Sequence, residues 1–238
     1  SFGVNGEEFE VVELGAGDGT KTLELLKAMN GKHSFVYKPI DISENALTGL
    51  ENRLFSELPS LKVECQQGEY FGVLNDLQSD KPKIVLFLGS NIGNMRDEVA
   101  NKFLTQLAQN LSNGDKILLG ADLIKAKSIV LPAYDDAQGF TRDFNLNLLN
   151  RINNELGGNF NLDQFIHSPK YSEETGVAES YLESLSDQKV EIGGKDYSFE
   201  KGEMIHMEIS RKYNDEILDK LIEGTGLVIK GKFLDKKE

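Results

Sequence analysis

Gly15, Gly17 and Gly19 alternate with Ala16 and Asp18 directly after the apolar run Phe9 to Leu14, and Thr20 to Lys27 then takes up helical spacing. A strand, a glycine turn and a helix in that order make a loop whose backbone can approach a ligand closely, because no Cβ intervenes. Crevices of this kind, at the carboxyl ends of parallel strands, bind ligands. A dinucleotide fingerprint would place a third glycine three positions after the second; Thr20 stands there instead. Asp41 ends a second apolar run, Ser34 to Ile40. A carboxylate there can accept both ribose hydroxyls of an adenosine-containing cofactor, or it can be an ordinary acid at a helix start. Three further groups could do chemistry. Glu69 and Tyr70 follow a third apolar run and could sit by an adenine ring, or be surface turn residues. The small, amide-rich loop Gly89-Ser90-Asn91-Ile92-Gly93-Asn94-Met95 is unusual for a mere connector. In Met204 to Ser210, alternation puts His206, Glu208 and Ser210 on one face and Ile205, Met207 and Ile209 on the other, either as a polar site or as a solvent face over a core face.

The elements that must position these groups follow in order. Ser43 is a natural N-cap with Glu44 favourable to the helix dipole, and Leu47, Leu50 and Leu54 recur at helical spacing. Leu61 to Gln66 is expected to be the third strand. Lys83 to Leu88 is almost continuously apolar, as in a strand buried on both faces of a parallel sheet. Asp97 opens a helix through Phe103, Leu104 and Leu107; Asn113-Gly114-Asp115 turns; Lys116 to Leu123 is the fifth strand. This β-α repetition predicts right-handed crossovers and a parallel sheet. After Ala126 the rhythm changes. Phe144, Leu148, Leu149, Ile152 and Leu156 mark a long helix ended by Gly157-Gly158. Phe160 to Lys170 reads as loop with a short helix. Tyr181 to Ile192, Tyr197 to Phe199 and Met204 to Ser210 read as strands, with a turn at Gly193-Gly194. Asp215 to Glu223 is a helix and Leu227 to Phe233 a strand. Residues 1–125 and 211–238 are therefore expected to form a cofactor-binding domain, and 126–210 a β-rich insert.

Composition narrows the partners. The chain has 238 residues, with 13 Phe and 7 Tyr for a core, and a net charge of -13. That charge argues against nucleic acid, whose phosphates reward a basic surface, and against an anionic membrane surface. The single Cys65 rules out an intrachain disulfide and a cysteine zinc cluster, and His33, His167 and His206 lack metal-ligand spacing, so no metal is expected. No apolar run reaches the roughly 18 residues of a membrane span, and no signal peptide is read before the first strand. A reduced, soluble, cytoplasmic protein, a monomer acting on a small molecule, is the expectation.

The strand-borne acid Glu13 ahead of closely spaced glycines resembles the first motif of S-adenosylmethionine-dependent methyltransferases. Further segments together resemble one family, the bacterial L-histidine Nα-methyltransferases of ergothioneine biosynthesis. They are Glu13 to Gly17, Pro39 to Ser43, Phe87 to Asn94, Asp122-Leu123, Ala133 to Asp136, Phe144-Asn145 and Met207 to Ser210. The first two occur in many methyltransferases; the Gly89 to Asn94 loop, the Tyr134 segment and the Glu208/Ser210 strand are more specific as a set. The resemblance implies an α/β, Rossmann-like class I methyltransferase with a mostly parallel sheet, plus a β-rich α+β insert capping the substrate site.

It also implies roles. Gly15, Gly17, Lys21 and Asp41 would hold the methionine and ribose parts of S-adenosyl-L-methionine, Glu69 and Tyr70 would flank adenine, and Gly89 would line the junction of cofactor and substrate. Asn94 and Tyr134 would bind the amino-acid carboxylate. Glu208 and Ser210 would hydrogen-bond the imidazole. The implied reaction is in-line methyl transfer to the α-amine of L-histidine, up to the trimethylated betaine, with no residue singled out as a general base. Family members carry a further N-terminal segment with aromatic residues around the substrate, and a last antiparallel strand; by that comparison the sequence is expected to be a fragment. Some members place a methionine near the imidazole where Ser180 stands here. Three other readings remain at this point: a methyltransferase of the same fold acting on another small amine or amino acid, a nicotinamide-dependent oxidoreductase, and a non-catalytic S-adenosylmethionine-binding module.

Overall fold

The computed structural model of the protein describes residues 8–77 and 79–235. They divide into two compact units, one of residues 8–77, 79–92, 97–121 and 215–235, the other of Gly93–Arg96 and Asp122–Asn214.

In the first unit, β1 (Phe9–Leu14), α1 (Thr20–Met29), β2 (Phe35–Asp41), α2 (Glu44–Glu57), β3 (Lys62–Val63), β4 (Gln66–Gln67), α3 (Tyr70–Val73), β5 (Lys83–Phe87), α4 (Asp97–Gln109) and β6 (Lys116–Leu119) follow one another. The strands form one sheet in the order β3-β2-β1-β5-β6, with β4 also on β2, and every pairing is parallel. This is the expected Rossmann-like architecture. Strand order runs outward from β1 through β2 and then restarts at β5 on its other side. That reversal leaves a crevice at the carboxyl ends of β1 and β5. β1 is buried along its whole length. Its Phe9 and Val11 join Leu23, Leu26 and Met29 of α1, Leu50 and Leu54 of α2, and Ile84 and Leu86 of β5 in one core. On the opposite face Phe87 meets Phe103 of α4 with ring centroids 5.0 Å apart.

The second unit holds α5 (Lys127–Val130), α6 (Phe140–Leu156), β7 (Phe165–Ser172), β8 (Val177–Ser184), β9 (Gln188–Ile192), β10 (Lys195–Phe199) and β11 (Met204–Arg211). β11-β8-β7 is an antiparallel sheet and β9-β10 a hairpin turning at Gly193-Gly194. Leu149 of α6, Phe160, Phe165, Leu182 and Val190 are its buried core.

Several expectations change. The third strand is two two-residue pieces rather than one run over Leu61 to Gln66. β6 stops at Leu119, and Leu123 instead forms a lone parallel bridge with Tyr213. The run Tyr181 to Ile192 is broken into β8 and β9. Phe165 to Lys170, read as loop, is strand; Pro169 masked it, and Pro169 is tolerated because β7 is an edge strand. Leu227 to Phe233 is not a strand. Among the described residues no neighbour pairs with it, and Phe233 is 90% exposed. On α6 the inward face is Asn145 and Leu149, while Phe144 and Leu148 are exposed. The helix carries two apolar stripes, and the one containing Asn145 turns inward because Asn145 finds a partner there, His167.

Beneath the glycine loop lies a buried acid. Glu13 accepts hydrogen bonds from Thr22 of α1 and Tyr37 of β2. Burial pushes its carboxyl above the ordinary range, and the two hydroxyls only partly offset this. Glu13 therefore binds its proton more tightly folded than unfolded. Its titration favours the fold below the ordinary carboxylate range, and that advantage is lost as pH rises through its raised pKa. Tyr37→Phe removes a bond to the charged form, so it should cost about 1.5–3 kcal/mol at neutral pH and less in mild acid. Denaturant titrations at the two pH values check this; equal losses would contradict it.

Candidate active site

The crevice of the first unit is built from backbone turns. Gly15 sits at φ +73°, and a Cβ there would lie 2.5 Å from the Tyr70 hydroxyl and 3.0 Å from Asn91 Nδ2. The site tolerates only glycine, and it shows that Tyr70 and Asn91 converge on the loop. Asn91 Oδ1 also lies 3.7 Å from where a Cβ would stand at Gly89, so one side chain reaches both glycine turns. Gly17 faces open space. Its N–H donates to Asp41 Oδ2 at 2.9 Å, and Ser43 N–H donates to Asp41 Oδ1 at 2.9 Å. Ser43 Oγ in turn accepts from Ala46 N–H and caps α2. Asp41 is thus pinned between the glycine loop and a helix start, and each oxygen keeps accepting capacity for a further donor. Tyr70 opens α3, its ring edge-on to Phe87 at 5.3 Å; burial, then the charge of Asp41, raises its pKa. Gly15, Gly17, Asp41, Tyr70 and Gly89 are brought together. Lys21 and Glu69 are exposed, and their side chains make no hydrogen bond among the described residues. A glycine turn open at Gly17, with a pinned carboxylate beside it that keeps accepting capacity, fits an adenosine-bearing cofactor.

The second unit supplies the other candidates, and here the strand reading needs correction. β11 does not alternate through Glu208. The register runs Ile205↔Leu182, His206↔Tyr181, then Glu208↔Ser180 and Ser210↔Ala178, so Met207 is an extra residue. Directly opposed residues share a face, and a bulge shifts the faces beyond it. His206 therefore lies on the outer face against the Tyr181 ring, 3.4 Å from the Glu179 carboxylate. Glu208 and Ser210 join Ser180, Ala178 and Leu182 on the inner face. Ser180 is fully buried, and among the described residues its hydroxyl has no hydrogen-bond partner. Glu208 has none among the described residues either.

Tyr134 packs with Val130, Leu131, Tyr171 and Ala178, on the face that Ser210 shares. Its carbonyl lies 2.8 Å from His167 Nε2, and His167 Nδ1 lies 3.3 Å from Asn145 Nδ2. A carbonyl only accepts, so Nε2 carries the hydrogen and Nδ1 accepts from the Asn145 amide. Asp136 accepts N–H bonds from Phe140 and Thr141 at the start of α6. These bonds hold its carboxyl down at about 2 and fix the segment that carries Tyr134. Asn94 is exposed. It follows Gly93, where a Cβ would meet the Arg211 carbonyl at 2.6 Å, so the turn lies directly on the backbone of β11.

Sequence reasoning missed the centre of this cluster. Lys212 is 4% exposed. Its Nζ lies 2.7 Å from Tyr134 Oη, 3.0 Å from Ser210 Oγ and 3.2 Å from Asp122 Oδ2. Burial pushes its pKa down, but Tyr134 and Asp122 outweigh this and the ammonium is held above its ordinary value. The available signal was positional: Lys212 is two past Ser210, hence on its side of the chain. Nothing in the sequence pattern alone gave it a role. Asn145 and His167 were likewise unassigned. Among the described residues no group of three or more His, Cys, Asp or Glu could hold a metal, and no helix is long and apolar enough to cross a membrane.

Comparison with known proteins matches this arrangement to a family. The model of the S-adenosylmethionine-dependent, histidine-specific methyltransferases matches residues 3–238. The histidine N-alpha-methyltransferase of Mycolicibacterium smegmatis is 34% identical over 209 residues, covering 87% of this chain and 65% of that protein. That of Mycobacterium tuberculosis is 31% identical over 220 residues, covering 91% and 68%. The L-tryptophan methyltransferase of Psilocybe serbica is 26% identical over 251 residues, covering 95% and 70%. The chain thus spans about two thirds of the length of these relatives. With the family model running over almost the entire sequence, the chain belongs to the histidine-specific, S-adenosylmethionine-dependent methyltransferase family.

Proposed function

We propose that the protein transfers methyl groups from S-adenosyl-L-methionine to the α-amine of L-histidine, up to the trimethylated product. The observation that carries this reading is the inner face of β11. The bulge at Met207 turns a carboxylate, Glu208, and a hydroxyl, Ser210, inward, next to a second buried hydroxyl, Ser180. A carboxylate accepts one imidazole N–H and a hydroxyl serves the other nitrogen. An apolar side chain would leave the half-buried Glu208 carboxylate and the Ser180 hydroxyl without a partner, and polar groups left unpaired in this way are how such sites reject analogues by roughly 10⁴–10⁵.

When bound, the cofactor supplies the electrophilic methyl group. The protein's part is binding and orientation, which can contribute about 7–11 kcal/mol of the barrier. In this reading Asp41 accepts the ribose hydroxyls while Gly17 N–H keeps its carboxylate in place. Gly15, Gly17 and Lys21 face the methionine portion, Glu69 and Tyr70 flank the adenine, and Gly89 lines the junction. Asn94 and Tyr134 take the substrate carboxylate. Glu208 and Ser210 take the ring.

Incubating the intact protein with S-adenosylmethionine and a panel of amino acids, read by mass spectrometry, tests the substrate. Methylated histidine is expected; methylated tryptophan without methylated histidine would replace this reading with the one suggested by the Psilocybe relative. Two variants test the roles. Asp41→Ala should weaken cofactor binding by calorimetry by about 1.5–3 kcal/mol, the worth of a hydrogen bond to a charged group, and unchanged affinity in a folded variant would remove Asp41 from the site. Glu208→Ala should lose most activity on histidine, keep cofactor affinity, and narrow the preference for histidine over phenylalanine. If the preference is unchanged, Glu208 does not touch the ring.

A further inference from the structure

Lys212 does more than fill a buried position between two binding groups. An ammonium has three N–H donors and no lone pair. In this cluster the three acceptors within reach are Tyr134 Oη, Ser210 Oγ and Asp122 Oδ2. Neither hydroxyl can turn its own hydrogen back toward Lys212, because nothing there accepts. Both hydroxyls must point their hydrogens elsewhere, and among the described residues neither finds an acceptor. Asp122 offsets the charge, which lets an ammonium stay in a site that is 4% exposed.

We propose that Lys212 is the specificity-determining positioning residue of this site: it commits Tyr134 and Ser210 to act as hydrogen-bond donors toward the substrate. This rests on the substrate reading above and adds a rule to it. Tyr134 then offers O–H to the carboxylate. Ser210 offers O–H to a bare ring nitrogen, and Glu208 accepts a ring N–H. A side chain satisfies both ring contacts only if it carries one donor and one acceptor. Neutral imidazole does. Indole has a donor alone, so it leaves the Ser210 hydrogen facing carbon, and phenyl satisfies neither.

The test compares Lys212→Met and Lys212→Gln with wild type on the intact protein, using histidine and tryptophan as substrates and calorimetry for the cofactor. Glutamine is the more informative change. Its amide oxygen can accept, so a neighbouring hydroxyl is free to turn its hydrogen inward. It also keeps polar partners for Asp122 and guards against the methionine variant failing to fold. Both variants should raise KM for histidine about tenfold or more with a smaller loss in kcat, and should lower the histidine-to-tryptophan ratio of kcat/KM by a similar factor. Cofactor affinity should stay within about twofold of wild type. Combining Lys212→Gln with Ser210→Ala should cost little more selectivity than Ser210→Ala alone, because both act through one hydroxyl. A wild type that prefers histidine and variants that keep the preference would overturn the inference alone. So would a parallel fall in cofactor affinity and in activity on both substrates, the signature of a residue that only holds the fold. A wild type that methylates no histidine would overturn the substrate reading and the inference with it.

Discussion

Met207 has no residue opposite it on β8, and the polar inner face of the second unit depends on that one unpaired position. Strand side chains alternate with period two, so one extra residue exchanges the faces of everything beyond it. Without the bulge, Glu208 and Ser210 would stand with His206 and Tyr181 on the outer face. With it, they stand beside Ser180 and Ala178. Pairing with β8 resumes at Glu208 and runs to Arg211, and Met207 itself packs on the core of Leu149, Phe165 and Leu182. The bulge thus keeps an apolar anchor and delivers two polar groups at once. Lys212, continuing the same side of the chain, then organises the hydroxyls.

The first unit solves a different problem, which is to hold a flexible glycine loop in one place. Backbone bonds from Gly15 and Ala16 to the Ile40 carbonyl tie the loop to the end of β2. Asp41 adds a third tie through Gly17 N–H. Below, Glu13 links β1 to α1 and β2 through Thr22 and Tyr37. An ionisable group that burial disfavours in its charged form is retained because its hydroxyl partners join three elements under one turn. An acid that ties the glycine loop and one that supports the fold are thus neighbours in structure, with Asp41 at the loop and Glu13 beneath.

The parallel sheet was legible in the sequence because Ile84 to Phe87 is apolar without interruption and Phe9 to Leu14 largely so, as in strands covered on both faces. The glycine turn and Asp41 were legible because their spacing is local to one β-α-β unit. The second unit was legible only in outline. Its strands carry polar residues on both faces, so Pro169 and His167 hid β7. The bulge leaves no mark in the pattern Ile205 to Ile209, which alternates perfectly on paper. Lys212 was hidden because its burial is made tenable by Tyr134 and Asp122, acceptors brought from distant segments to join Ser210 two residues back. Phe144 and Leu148 misled for the converse reason: two apolar stripes compete on α6, and Asn145 with its His167 partner decides between them.

In the proposed function the inner face of β11 receives a neutral imidazole, with one nitrogen donating to Glu208 and the other accepting from Ser210. Nitrogen NMR of ring-labelled L-histidine bound to the intact protein with S-adenosylhomocysteine, near neutral pH, measures this directly. A single neutral tautomer is expected, with one protonated and one hydrogen-bonded bare nitrogen, and loss of that signature in Glu208→Ala. An imidazolium, or ring shifts identical to those of free histidine, would contradict it.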